Sequence, residues 1–112
     1  MKDTELMRQW VDALRSGKYR QTRGWLRKDD GFCCLGVLCD ISGVGEWEQR
    51  GDVGVWNYDT EDESLKGVLP DVLTNTIGIS LGEQNKLASM NDRLGYSFGS
   101  IADKIEEMAN EI

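Results

Sequence analysis

The chain has 112 residues, 39% of them hydrophobic, a formal net charge of −7 and no histidine. That length suits one domain around one core and is too short for two; no window approaches the roughly 20 apolar residues that cross a bilayer. The missing histidine excludes serine triads, cysteine–histidine dyads and the usual neutral-pH general base, and it removes most zinc sites.

The opening residues MKDTELMRQW are charged rather than apolar, which predicts no export signal and a cytoplasmic location. Leu6, Met7, Trp10, Val11 and Leu14 then fall on one helical stripe, so a helix is expected from about residue 4 to 15, capped by Asp3 and stopped at Ser16-Gly17. In KYRQTRGWLRKDDGFCC, two short runs flank Asp29-Asp30-Gly31, and an Asp-Gly turn between such runs is a hairpin signal. The first strand is expected to carry Arg20, Arg23, Trp25, Arg27 and Lys28. The following FCCLGVLCDISG is apolar nearly all round before Asp40, which fits a short buried helix or a central strand, closed by Ser42-Gly43.

The middle is rich in glycine and acid. Glu46–Arg50, a Gly51-Asp52 turn and then Val53, Val55, Trp56 and Tyr58 suggest a second hairpin, and DTEDES at 59–64 reads as an exposed acidic loop. Pro70 suits the start of a short helix ending near Gly78. Ser80-Leu81-Gly82-Glu83 has the capping-box form and opens a helix to about residue 91. A last helix begins at Ser97 and aligns Phe98, Ile101, Ala102, Ile105 and Met108, making an αα-hairpin across Asn91–Tyr96. The expected fold is a single α+β domain over 1–112: an N-terminal helix, one or two β-hairpins, a short buried apolar segment and the C-terminal helix pair. Leu6, Trp10, Leu14, Leu35, Leu38, Ile101 and Ile105 should build its core.

Charge is divided along the chain. Residues 1–28 hold eight Lys/Arg against three Asp/Glu, a local +5, while 29–112 hold five against seventeen, a local −12. The plainer reading is two solvated faces that attract each other when folded; the sharper one is an anion-binding patch on an acidic body. Within the basic part, Arg15, Lys18, Arg20, Arg23, Arg27 and Lys28 interleave with Tyr19 and Trp25. Guanidinium groups grip phosphates with paired hydrogen bonds and rings stack on bases, so Tyr19, Arg20, Arg23, Trp25 and Arg27 form a candidate site for a nucleotide or other phosphorylated ligand.

Cys33, Cys34 and Cys39 lack the paired spacing of a structural zinc site, and adjacent side chains diverge, so buried core thiols are expected and no metal. The C-terminal helix pair looks like part of a helix-turn-helix unit, yet its second helix carries Asp103, Glu106, Glu107 and Glu111 against one lysine, Lys104. DNA phosphates would repel it. No Gly-rich phosphate loop is present. Two suitably placed carboxylates could still make an enzyme, which keeps a third class of reading open.

WVDALRSGKYRQTRGWLR, GFCCLGVLCDIS and LASMNDRLGYSFGSIADKIEE together resemble a group of small, functionally uncharacterised proteins encoded by bacteriophages and prophages, over roughly the first 42 and last 30 residues. The resemblance implies a phage accessory protein in a bacterial cytoplasm and implies no reaction. The leading expectation is a non-enzymatic binding protein without cofactor. It would inhibit or redirect a host or anti-phage defence component by acidic mimicry, with exposed Trp47, Trp56 and Tyr58 as partner-binding residues. The alternative is a small-ligand binder using segment 15–28. Membranes are not expected as partners, and the opposite charges of the two ends would allow a homo-oligomer.

Overall fold

The computed structural model describes residues 4–49, 51 and 53–109. Five helices and two small three-stranded sheets make an α+β fold. Helix α1 spans Thr4–Arg15; its stripe buries Trp10, Val11 and Leu14 and half-buries Leu6. The chain leaves it where the Ser16 hydroxyl donates to the Ala13 carbonyl and Gly17 takes a φ of 78°. The cap expected at Asp3 lies outside the described residues.

The apolar segment is helix α2, Cys34–Ser42. Cys33 caps it, its sulfur accepting from the Gly36 N–H, and Gly43 ends it with a φ of 67°. Residues Cys34–Cys39 are all buried because α1, strand β3 (Gly31–Phe32) and helix α4 (Leu81–Asp92) pack around them, so no polar face exists among them to betray the helical period. Glycine is required at position 36: a Cβ there would stand 1.9 Å from the Leu26 carbonyl oxygen.

The single strand expected over 20–28 is divided in two. Strand β1 is Arg20–Gln21, β2 is Arg27–Lys28 and β3 is Gly31–Phe32, in sheet order β1-β3-β2. The hairpin at Asp29-Asp30 joins β2 to β3 antiparallel, while β1 runs parallel to β3. The interruption has a tertiary cause. The Leu26 carbonyl accepts from Cys33 N–H at 3.0 Å and its N–H donates to the Lys66 carbonyl at 2.8 Å, so this backbone serves other elements instead of extending the ladder.

Strands β4 (Glu46–Gln49), β5 (Trp56–Asp59) and β6 (Ser64–Leu65) form the second sheet, an antiparallel meander. The expected β4–β5 hairpin forms, but β5 starts at Trp56, so Val53, expected in the strand, lies exposed in the connection, of which Arg50 and Asp52 lie outside the described residues. Residues 59–64 are more ordered than an acidic loop. Thr60 N–H donates to the Glu63 carbonyl at 2.8 Å, the Thr60 hydroxyl accepts from Glu63 N–H at 3.1 Å, and Ser64 enters β6. Short polar side chains close such a turn locally, without apolar burial. The sheets are joined where Asp29 N–H donates to the Gly54 carbonyl at 2.7 Å and Lys28 bridges Val55.

Helix α3, Asp71–Ile77, starts after Pro70 and ends at Gly78, whose φ is 77°. Helix α4, Leu81–Asp92, has the complete capping box of Ser80 and Glu83. Helix α5, Phe98–Ala109, buries Phe98, Ile101, Ala102, Ile105 and Met108 and packs chiefly on α1. One cluster of buried apolar side chains joins all five helices with Leu26, Phe32 and Tyr58 from the sheet region.

Candidate interaction surface

The residues expected to hold a phosphorylated ligand are dispersed. Tyr19 sets its ring edge-on to Phe32 at 5.0 Å and donates its hydroxyl to Asp40 at 2.5 Å; burial, reinforced by that bond, pushes its phenol up to about 12. Arg23 donates its Nε–H to the Asn91 carbonyl at 3.1 Å. Trp25 is half-buried, with the Lys66 ammonium 5.7 Å from its ring centre. Arg27 lies over Trp56 at 4.0 Å, Phe32 at 5.0 Å and Trp47 at 5.6 Å.

Register explains the dispersal. Arg20 and Lys28 both pair with Gly31, in one row across the first sheet, while Arg27 pairs with Phe32 in the next row, and successive rows face opposite ways. Arg20 and Lys28 line one cavity, of about 110 Å³, together with Asp29. Arg27 instead holds the two sheets together. Its guanidinium carries charge against three ring faces, each such contact contributing about 0.5–2 kcal/mol.

The aromatic residues expected at the surface divide as well. Tyr58 is buried, a correction to its reading as an exposed partner contact: its ring lies tilted against Trp47 with centres 4.8 Å apart and its hydroxyl accepts from Gly45 N–H at 2.7 Å. Trp47 and Trp56 are half-buried. The Trp47 indole N–H donates to Asp40 at 3.1 Å and that of Trp56 to the Asp29 carbonyl at 3.2 Å. Both rings therefore brace the sheet and offer only part of their area outward. Asp40, which the sequence did not single out, ties Tyr19 and Trp47 to the end of α2.

The opposite face of the second sheet is acidic. Trp47, Tyr58 and Leu65 form an inward row, so Glu46, Glu48, Asn57, Asp59 and Ser64 point outward, with Glu46 directly across from Asp59 and Glu48 across from Asn57. Like charges in such a cross-strand pair destabilise the ladder. Asp59 accepts from the Ser64 hydroxyl at 2.5 Å. Beyond Asp59 the surface continues into the β5–β6 turn, where Glu61 and Asp62 are exposed, and Glu63 accepts from Asp71 N–H at 2.6 Å.

A buried polar hub, also unforeseen, positions the basic segment. Asn91 is fully buried; its Oδ1 accepts from Gln21 Nε2 at 2.8 Å and Cys34 N–H at 3.3 Å, and its Nδ2 donates to the Thr22 carbonyl and to Asp92 at 2.8 Å each. Asp92 also accepts from Gly24 N–H at 3.0 Å. The signal available was the adjacent Asn-Asp at the end of α4, too common a helix ending to mark a hub.

The three thiols are free and buried, and burial raises each, Cys33 to about 12. Thiolate is the reactive form, so this environment suppresses thiol chemistry at neutral pH. Among the described residues, no group of three or more cysteine, aspartate or glutamate side chains is placed to hold a metal ion, and no helix is long and apolar enough to cross a membrane.

The chain belongs to the family described as a domain of unknown function (DUF8296), whose model matches residues 1–75. No curated protein and no solved structure matches it.

Proposed function

We propose that this DUF8296 member is a phage-encoded, non-enzymatic binding protein that docks its acidic sheet face onto a basic surface of a host or defence protein and so inhibits or redirects it. One observation carries the reading: Glu46, Glu48 and Asp59 project together from the outer face of the second sheet, and Glu61 and Asp62 extend the carboxylates past its end. Complementary charge on a partner steers encounter with this face and selects the partner. Such a face can substitute for the phosphates of a nucleic acid on a protein that normally binds one. The phage origin rests on sequence resemblance, and the non-enzymatic character on the absence of histidine and on thiols raised by burial. Tagged protein incubated with a bacterial host lysate tests the reading. A protein partner enriched above background supports it, and no enrichment removes it.

A second reading, capture of a phosphorylated ligand, draws on the convergence of Arg20 and Lys28 on one cavity. At about 110 Å³ that cavity suits a phosphate group and falls short of the roughly 300 Å³ at which small-molecule sites begin. Unchanged affinity for a phosphorylated ligand after Arg20→Ala combined with Lys28→Ala would remove it.

A further inference from the structure

We infer that the groove beside the start of α3 receives an amphipathic, basic segment of a protein partner, apolar side chains inward and Lys/Arg on the rim. The inference rests on the reading above and adds the site where the partner's apolar residues would lodge. Two cavities, of about 360 and 160 Å³, meet at Glu63. Leu81 and Val68 line the larger, Val72 and Val44 the smaller, and all four are exposed, Leu81 by 68%. The other large apolar side chains exposed among the described residues, Val53, Leu94 and Tyr96, belong to the β4–β5 and α4–α5 connections. Four exposed apolar side chains around two adjoining cavities, rimmed by polar groups, is the pattern of an interaction site.

The rim states which partner. Asp71 borders the larger cavity and Glu61 and Asp62 the smaller, and Glu61 follows closely on Asp59 at the edge of the acidic sheet face. Carboxylates around an apolar floor repel nucleic acid and anionic lipid and favour a segment that pairs Leu-like residues with Lys or Arg, the chemistry of a basic amphipathic helix lying in a groove. A second copy is the poorer fit, because three arginines of its basic part are engaged within its own chain: Arg15 pairs with Asp103 and Glu106, Arg23 binds the Asn91 carbonyl and Arg27 lies among three rings.

The test uses the full chain and three labelled peptides of equal length: an amphipathic Leu/Lys helix, a Ser/Lys peptide of the same charge, and a Leu/Glu helix. Fluorescence anisotropy is expected to give saturable binding of the Leu/Lys peptide, about tenfold weaker binding of Ser/Lys, since one buried Leu is worth at least that factor, and no binding of Leu/Glu. Leu81→Asp should weaken the Leu/Lys complex by about tenfold or more. Leu81 is the first residue of α4, where an acidic side chain favours the helix, so the variant should fold; an unchanged thermal transition verifies this, and Val72→Asp is the second variant. Equal binding of Leu/Lys and Ser/Lys, or indifference to Leu81→Asp and Val72→Asp while Glu46→Lys with Glu48→Lys removes binding, overturns the groove and leaves the acidic-face reading standing. Absence of Leu/Lys binding overturns the groove alone, whereas lysate capture decides the wider reading. A dimer in sedimentation equilibrium that Leu81→Asp disperses would make a second copy the occupant and overturn the inference.

Discussion

Replacing Asn91 with alanine should destabilise the protein far more than the loss of one polar side chain suggests. Its amide, itself fully buried, uses both donors and two acceptor positions at once, toward Gln21, Thr22, Cys34 and Asp92. Truncation leaves two groups without a partner: the Cys34 N–H, in a residue with no exposed surface, and the Thr22 carbonyl. The orphaned, fully buried Cys34 N–H costs about 1–3 kcal/mol, the half-buried Thr22 carbonyl costs less, and the small cavity adds to both, so a loss of about 2–4 kcal/mol is expected from a total near 5–15 kcal/mol for a domain of this size. Asn91→Asp separates hydrogen bonding from packing. It keeps the shape and the acceptor but sets an oxygen against the Thr22 carbonyl and Asp92, and it should cost at least as much as alanine. Urea unfolding followed by Trp fluorescence and circular dichroism measures both. A loss below about 1 kcal/mol for the alanine variant, or wild-type stability for the aspartate variant, would refute the hub.

Trp10→Ala should cost about 3–5 kcal/mol, because the indole is fully buried and donates to the Cys34 carbonyl at 2.8 Å; retained thermal stability would contradict this. Gly36→Ala, ordinarily favourable in a helix by about 1 kcal/mol, should destabilise here by about 1–3 kcal/mol, since its Cβ would collide with the Leu26 backbone; a raised unfolding midpoint would count against that packing. Stability should fall at alkaline pH. The Cys33 thiol ionises near 9 when unexceptional and near 12 when folded, so above pH 9 the unfolded chain sheds a proton that the folded chain keeps. The stabilisation is complete below pH 9 and is lost as pH rises toward 12, on the order of 1 kcal/mol per thiol per pH unit; Cys34 and Cys39 act in the same direction, and Tyr19 joins between 10 and about 12. Equal urea midpoints at pH 7 and pH 10.5 would contradict the burial of the thiols.

Features encoded locally were legible in the sequence. Helix α1 followed from its stripe, α4 from the Ser80–Glu83 box and α5 from five apolar residues on one face, because each depends on spacing within a few turns. Helix α2 was ambiguous between helix and strand because its residues Cys34–Cys39 are buried all round and carry no polar face. The division of β1 from β2 was invisible for a different reason: Leu26 gives its backbone to Cys33 and Lys66, partners that only the fold brings near. The acidic run 59–64 ordered itself through Thr60 and Ser64, whose side chains replace the missing apolar burial. The candidate ligand residues were gathered by proximity along the chain, whereas strand alternation and the ring cluster around Arg27 set them on different faces. Tyr58, read as exposed, lies inward because it shares a row with Trp47 and Leu65. The acidic surface itself was legible as a local −12 of charge; the register that gathers part of it on one sheet face was not.

The most direct test of the acidic face is capture from a bacterial lysate with three matched baits: the wild-type protein, Glu46→Lys combined with Glu48→Lys, and Arg20→Ala combined with Arg23→Ala. The docking account predicts a protein partner that the wild-type and arginine-truncated baits both retain, that the charge-reversed bait loses, and that raised salt weakens. A partner retained by the charge-reversed bait and lost by the arginine-truncated one would place recognition on the basic segment and contradict it.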